Sequence, residues 1–515
     1  MTYITIIGME VHVQPNTESK MFCSCANAPD EQEPNVHICE ICLGHPGTLP
    51  LVNKAAIIET VRVGKALDCT IRTVSKFDRK HYFYPDLPKA YQISQYDEPI
   101  AEHGALTLTF PLENNLRDEA TIEIRRVHLE EDAAKLFHDP AGNSLVDFNR
   151  AGTPLIEIVT GPDFRSALEA KTYCQELRTL LRFLKVSDAD MEKGQMRCEA
   201  NISVQMPGTY EIVDGEVRPL ADAVLNNKVE LKNLNSFKAV ERGILYEVER
   251  QTAMIEAGEF WEQETRGWDE DKQETVAQRK KGNADDYRYF PEPDIPPFEP
   301  LHIAAGISLP ELPQTKRERF HLEYGFSYAD AYMLASTEEW GDFTERVMSE
   351  IIDWLHSLPE VSGSTDEIRE EKKNAIARLT GGWLTSKLTG ILKEKNMSLS
   401  DVAFSPENFA ELIALIYSGR VNATNAYKML LIMTGLDIDK DPTHILEEKG
   451  WGQVSDEQAL GRIIEEVITN YPLQVTEYKQ GKETVLKFLI GMVMKATEGS
   501  ADPQVVEKLL KERLA

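Results

Sequence analysis

The segment MRCEANISV, residues 196–204, alternates strictly when it is laid out as an extended strand. Glu199, Asn201 and Ser203 fall on one face, and Cys198, Ala200, Ile202 and Val204 fall on the other. A strand patterned this way belongs to a sheet with one packed face and one polar face. The same period of two recurs at 3–13, 106–110, 121–127 and 155–159. Two stretches break it with apolar residues at three-to-four spacing, 54–67 and 165–184, and these read as helices. Residues 1–293 are therefore expected to form an α+β domain built on a large, mostly antiparallel β-sheet. PEPDIPPFEP (291–300) carries five prolines, which suit neither a helix interior nor a central strand, and a domain break is expected there. Beyond it the alternation disappears and helical spacing takes over, at 342–355, 383–395, 406–416, 422–434 and 484–496 among others. A second break at 398–405 divides this part into an all-helical middle domain, 294–405, and a helical tail domain, 406–515.

Composition narrows the function classes. The chain has 515 residues, and 56 Lys+Arg against 85 Asp+Glu give a formal charge of −29. A surface this acidic repels phosphate in general, so any contact with nucleic acid must be made by local basic patches. One such patch is expected in the tail, where Lys487, Gly491 and Lys495 recur every four residues behind Lys479 and Lys482. The first residues carry no basic leader, and the apolar runs fall well short of the ~20 residues that cross a bilayer. A cytoplasmic protein with no membrane association is expected.

Seven cysteines are present, and four of them crowd into one short stretch as Cys23-Ser-Cys25 and Cys39-Glu-Ile-Cys42-Leu-Gly44. Two short-spaced pairs joined by a loop can place four thiolates tetrahedrally around Zn2+, with Gly44 allowing the tight turn of a knuckle. His37 or His45 could replace one of the thiolates, and four free thiols are the alternative. A closed site of this type is structural rather than catalytic. Cys69, Cys174 and Cys198 are solitary and read as core thiols.

Acidic residues gather in other short motifs: Glu10 and His12 in GMEVHV, Glu130, Glu131 and Asp132 in RVHLEEDAAK, Glu157 in GTPLIEIV, and Glu199 in MRCEANISV. Carboxylates collected on one sheet face repel one another unless a divalent cation sits among them, and an all-oxygen set suits Mg2+. Outward, solvated strand residues are the plain alternative. SKFDRKHYFYPDLPKAYQISQYDEPI (75–100) interleaves Arg79, Lys80 and Lys89 with six aromatic residues, and ADDYRYFPEPD (284–294) is of the same kind. Such surfaces contact phosphate and stack on bases, or else form an aromatic core with a charged rim. No phosphate-binding G-x-x-x-x-G-K-[ST] loop, kinase signature or G-x-S-x-G elbow occurs, so any ATP site is of an uncommon type.

With these segments assembled, the sequence resembles the GatB family, the B subunits of the aspartyl/glutamyl-tRNA(Asn/Gln) amidotransferases. The matching stretches are GMEVHVQ (8–14), CLGHPGTLP (42–50), the basic and aromatic run at 75–100, HLEEDAAK (128–135), SLVDFNRAGTPLIEIV (144–159), MRCEANISV (196–204), ELKNLNSF (230–237) and DYRYFPEPD (286–294). SGRVNATNAYKML and GMVMKATEGSADP carry the likeness into the tail.

The resemblance implies an ATP-dependent ligase that works within a complex. A Glu or Asp esterified to a non-cognate tRNA, as in Glu-tRNA(Gln) or Asp-tRNA(Asn), is phosphorylated on its side-chain carboxylate and then amidated by ammonia. The ammonia is drawn from glutamine by a separate amidase subunit and channelled inside the complex, and a third, small subunit holds the assembly together. The same likeness makes 1–293 a catalytic cradle and the tail a tRNA-binding module. It places Glu10, His12, Glu130, Glu131, Glu157 and Glu199 in motifs that bind ATP and divalent metal. We expect Mg2+ at Glu10, His12, Glu131, Glu157 and Glu199, structural Zn2+ at Cys23, Cys25, Cys39 and Cys42, and catalytic roles for His12 and Glu131. Lys89 and Arg79 are expected to contact phosphoryl oxygens. The rival expectations are a non-catalytic, zinc-containing tRNA-docking subunit and a free-standing ligase that uses external ammonia.

Overall fold

The computed structural model describes residues 3–110, 115, 117–213, 215–280, 287–357, 365–435, 439–452, 457–497, 501 and 503–514. The chain divides into two compact units, Met1–Leu312 and Pro313–Ala515.

Among the described residues, the first unit is built on a nine-stranded sheet. Its strands in chain order are β1 (Ile4–Val13), β2 (Thr70–Ile71), β3 (Ala101–Thr109), β4 (Glu119–Glu131), β5 (Pro154–Thr160), β6 (Met196–Gln205), β7 (Val229–Leu234), β8 (Glu264–Asp269) and β9 (Glu274–Lys280). They lie side by side as β9-β8-β7-β6-β1-β5-β4-β3-β2. Every pair is antiparallel except β7 and β8. The architecture is α+β, as expected. Alternation decides which way each strand faces: Met9, Val11, Val13, Leu129, Ile156, Ile158, Cys198, Ala200 and Ile202 are all buried in one core.

Three helices cover that apolar face, α1 (Lys54–Ala66), α2 (Ala167–Phe183) and α3 (Phe237–Glu256). Each starts on a side-chain cap: Asn53 accepts from the amides of Ala55 and Ala56, Ser166 from Glu169, and Ser236 from Ala239. The spacing at 54–67 and 165–184 marks α1 and α2, but α3 is a helix that periodicity does not announce. Its inward stripe carries Glu247 and Gln251, both fully buried, and these interrupt the apolar period. Gln251 instead satisfies the sheet, donating to the Ile202 carbonyl and accepting from the Val204 amide.

The proline-rich segment is not a free linker. Phe290–Pro291 pairs with Asp78–His81 in a small sheet completed by Tyr91–Ser94. Phe298 stacks on Phe77 at 5.6 Å, and Ile295 and Ala304 are buried in the first core. Prolines exclude a helix interior but permit an extended edge, and the Ile and Phe between them anchor that edge. The compact unit thus runs on to Leu312, past the break expected at 293.

The second unit is helical and, among the described residues, holds two apolar cores, one drawn from residues between Phe320 and Leu446 and one from Leu460 to Leu514. The turn at 398–405 does not separate them. Ser405 caps the helix Pro406–Tyr417, whose Phe409, Leu412 and Ile413 are buried with Val347, Ile351 and Leu355 of the helix Glu338–Ser357. The expected boundary at 405 therefore falls inside one core. On the helix Thr484–Ala496, Leu486, Leu489 and Val493 point inward, while Lys487, Gly491 and Lys495 are exposed together. The segments at 284–294 and 491–503 extend into residues outside the described ones, namely 284–286, 498–500 and 502. Among the described residues no helix is long and apolar enough to cross a membrane.

Candidate functional site

Strand register assembles the site on the polar face of the sheet. Glu10 of β1 lies directly opposite Glu199 of β6, and His12 lies opposite Glu157 of β5. Glu157 in turn faces His128 of β4, and Asn201 of β6 faces Glu230 of β7. Directly opposed residues of an antiparallel pair share a face, with Cβ atoms roughly 5 Å apart. Five neighbouring strands therefore contribute to one row of carboxylates and imidazoles.

The row contains two groups that can each hold a metal ion. In the first, ligand atoms of His12, Glu130 and Glu157 lie within 4.8 Å of one another. His12 Nε2 is 3.5 Å and His128 Nε2 is 3.0 Å from a Glu157 oxygen. Ser94 donates to Glu130 at 2.8 Å. Burial opposes a charge on His12, but the adjacent Glu157 carboxylate, with Glu199 and Glu130 behind it, outweighs burial and raises the imidazole to about 9. Burial also opposes ionisation of Glu157, yet His128 and His12 hold it well below the usual carboxylate range.

The second group is Glu10, Glu199 and Glu230, again with ligand atoms within 4.8 Å. Lys232 bridges Glu199 at 2.7 Å and Glu230 at 3.2 Å, and Asn201 donates to Glu10 at 2.8 Å. Burial, followed by repulsion from Glu157 and Glu199, pushes the Glu10 carboxyl up. Three carboxylates with one ammonium among them are under-neutralised, which is the donor set that a hard divalent cation fits.

Three of the expected participants, Glu131, Arg79 and Lys89, lie elsewhere. Glu131 ends β4 on the opposite side from Glu130, because adjacent strand residues point to opposite faces. Its carboxylate accepts from Lys89 at 2.5 Å and from the Ile93 amide at 2.9 Å, and it belongs to neither group. Arg79 grips Glu292 through two bonds of 2.6 and 2.8 Å and lies 4.4 Å over the Tyr91 ring. Arg79 and Lys89 do meet, in a cleft of about 210 Å3 that they line with His45, Gly47 and Tyr91. The cation that faces the first group is Lys80, one residue further along the same strand. Burial would discharge it, but Glu130, Tyr289 and Glu157 hold it charged, and its Nζ sits 5.0 Å from the Tyr287 ring.

Residue spacing does carry a signal for the members that sequence reasoning missed. His128 precedes Glu130 by two, and Glu230 precedes Lys232 by two, so each pair shares a strand face. Lys80 stands in a run of cations that composition does not tell apart.

The cysteines form a separate centre. The four Sγ atoms of Cys23, Cys25, Cys39 and Cys42 lie within 4.8 Å of one another, and no histidine joins the group among the described residues. Cys39 and Cys42 Sγ are 3.9 Å apart. Bonds of about 2.3 Å in a tetrahedral zinc site place sulfurs roughly 3.8 Å apart, so the donor set fits that ion. The Cys39 amide donates to Cys42 Sγ at 3.1 Å. A hydrogen bond from Cys23 lowers Cys42 to about 5 and, together with burial, raises Cys23. Gly44 takes φ +66°, and a Cβ there would come within 2.7 Å of the Lys89 side chain, so both the turn and the packing require glycine. Cys174 and Cys198 are buried in the sheet core and Cys69 lies beside it.

The GatB/GatE catalytic domain family matches residues 5–303, and the GatB domain family matches residues 365–514. A protein of Thermoanaerobacter pseudethanolicus is 41% identical, with all of both chains covered. A Dehalococcoides mccartyi protein is 42% identical over 99% of each chain, and one from Crocosphaera subtropica is 40% identical over 99% of this chain and 98% of its own. All three are named as the B subunit of aspartyl/glutamyl-tRNA(Asn/Gln) amidotransferase.

Proposed function

Because this chain belongs to the GatB family of tRNA-dependent amidotransferase subunits, we propose that it activates the side-chain carboxylate of a misacylated aminoacyl-tRNA for amidation. A carboxylate does not exchange oxygen for ammonia directly, since oxide or hydroxide would have to leave. Transfer of the γ-phosphoryl group of ATP to that carboxylate gives an acyl phosphate and ADP. Ammonia then attacks the acyl carbon, phosphate departs with the bonding electrons, and a proton lost from nitrogen leaves the amide. The product is Gln-tRNA(Gln) or Asn-tRNA(Asn). Glutamine, hydrolysed by a separate amidase subunit, is the ammonia source, and a third, small subunit completes the complex. The solitary cysteines do not supply a glutaminase nucleophile: Cys69, Cys174 and Cys198 sit in or against the core.

The observation that carries this reading is the pair of three-ligand groups on one sheet face. Bound there, Mg2+ offsets the negative charge that gathers when phosphate approaches a carboxylate. Glu130 and Glu157 would hold it in the first group, with His12 joining them only as the neutral imidazole after giving up its proton, and Glu10, Glu199 and Glu230 would hold it in the second. Lys80 contacts the phosphoryl oxygens, in place of Arg79 and Lys89. His128 orients Glu157. The cysteine centre holds Zn2+ and shapes the loop that packs against Lys89. The exposed lysines of the tail helix contact tRNA phosphates, which lets an acidic protein bind one folded RNA and reject other polyanions.

The test uses the assembled complex, misacylated tRNA, γ-labelled ATP and Mg2+. Glu157→Gln and His12→Ala should abolish formation of the phosphorylated aminoacyl-tRNA while glutamine hydrolysis by the partner persists. Undiminished phosphorylation in both variants would refute the site.

A further inference from the structure

The Lys20 side chain is fully buried, yet no carboxylate pairs with it among the described residues. Its Nζ donates to the carbonyls of His37 at 2.7 Å and Phe148 at 3.2 Å, and lies 3.9 Å from Cys42 Sγ. Carbonyl dipoles satisfy an ammonium's hydrogens but do not neutralise its charge. A buried cation without a counter-ion is strongly penalised. Four thiolates on Zn2+ carry a net charge of about −2, an equally costly group to bury. The two meet at the N–H···S contact with Cys42, and each removes the other's penalty.

We infer that Lys20 is the counter-cation of the tetrathiolate zinc centre and that retention of the metal depends on its charge. The inference rests on the zinc reading above. Lys20 is then a positioning residue, acting on the thiolates rather than on any substrate. Its amine reaches two segments at once, the loop containing His37 and the turn after Asp147. Both become fixed to the metal centre through one side chain, and the Met21 amide bonded to the Gly152 carbonyl at 2.7 Å continues that link.

The experiment measures zinc affinity of the full-length chain by competition with a chromogenic chelator, for the wild type and for Lys20→Met, which keeps length and removes charge. Loss of the ammonium should weaken zinc binding about 10–100-fold and shift the thiolate-to-metal charge-transfer band of the Co2+-substituted protein. Unchanged affinity with an unchanged band would overturn the inference while leaving the zinc reading intact; a wild-type chain that binds no zinc overturns both. Should Lys20→Met fail to fold, the wild type decides. Amine acylation read by mass spectrometry should spare Lys20 in the zinc-loaded chain and label it after chelation. Equal protection in the two states contradicts the inference.

Discussion

Glu157 stands where β1, β5 and β4 meet, with an imidazole on either side. Removing its charge leaves His12 without its carboxylate, leaves His128 only Glu130 at 3.8 Å, and takes one oxygen from the first three-residue group. Glu157→Gln should therefore reduce the phosphorylation rate at least ~100-fold, a loss of the size seen when preorganised charge stabilisation is removed, while the chain remains folded. Arg79 should behave in the opposite way. Its guanidinium neutralises Glu292, whose side chain is fully buried. Arg79→Met strands that carboxylate and should cost about 3 kcal/mol of stability, measured by denaturant unfolding, with kcat little changed below the melting range. A large fall in kcat without loss of stability would return Arg79 to the phosphoryl transfer step. Both residues are charged members of short motifs; what separates them is which neighbour each finds.

Elements impose the next level of order. The segment 23–44 acts as one element only when its two Cys pairs converge. Purified protein should contain about one zinc per chain, and Cys39→Ser should release it and lower the melting temperature. Metal analysis and calorimetry check this together. The helix Pro406–Tyr417 carries a different burden. Its Glu411 is buried with one oxygen lacking a partner, while the other accepts from Thr443. Burial raises this carboxyl to about 7, and Asp441 adds to the effect. The folded value lies above that of an exposed Glu, so the folded state favours the protonated form. The associated stability is complete below about pH 4.5 and is lost as pH rises through about 7. Glu411→Gln keeps an acceptor for Thr443 without the charge. It should stabilise the helical unit by about 3 kcal/mol at about pH 8 and have little effect at about pH 4.5, as read from melting curves at the two pH values. An equal effect at both would show that folding does not raise the Glu411 carboxyl.

At the scale of the whole molecule, the useful cutting point follows from the apolar cores. A chain ending at 405 loses Phe409, Leu412, Ile413 and Met429 from the core that also contains Val347 and Ile351, and should aggregate. A chain ending at 452 keeps that core and should unfold cooperatively. It should also bind tRNA more weakly than the full chain, and undiminished binding would dismiss the tail lysines as contacts. The alternation at 3–13, 155–159 and 196–204 was enough to determine a half-buried sheet with carboxylates on one face, and three-to-four spacing was enough to mark most of the helical part. Those are local patterns, set by 2.0 and 3.6 residue periods. The motif order, likewise local, identified the family. Other facts belong to partners far apart in the chain. Glu130 and Glu131 are neighbours with opposite fates, since one faces His12 and the other Lys89, and only strand pairing decides which. Arg79 and Lys80 divide in the same way between Glu292 and the row of carboxylates and imidazoles. Helix α3 is hidden from periodicity because its buried Glu247 and Gln251 find their partners on other elements. The tertiary structure decided these because a side chain's charge is readable in the sequence, but its neutralising partner comes from a register that pairs residues remote in the chain.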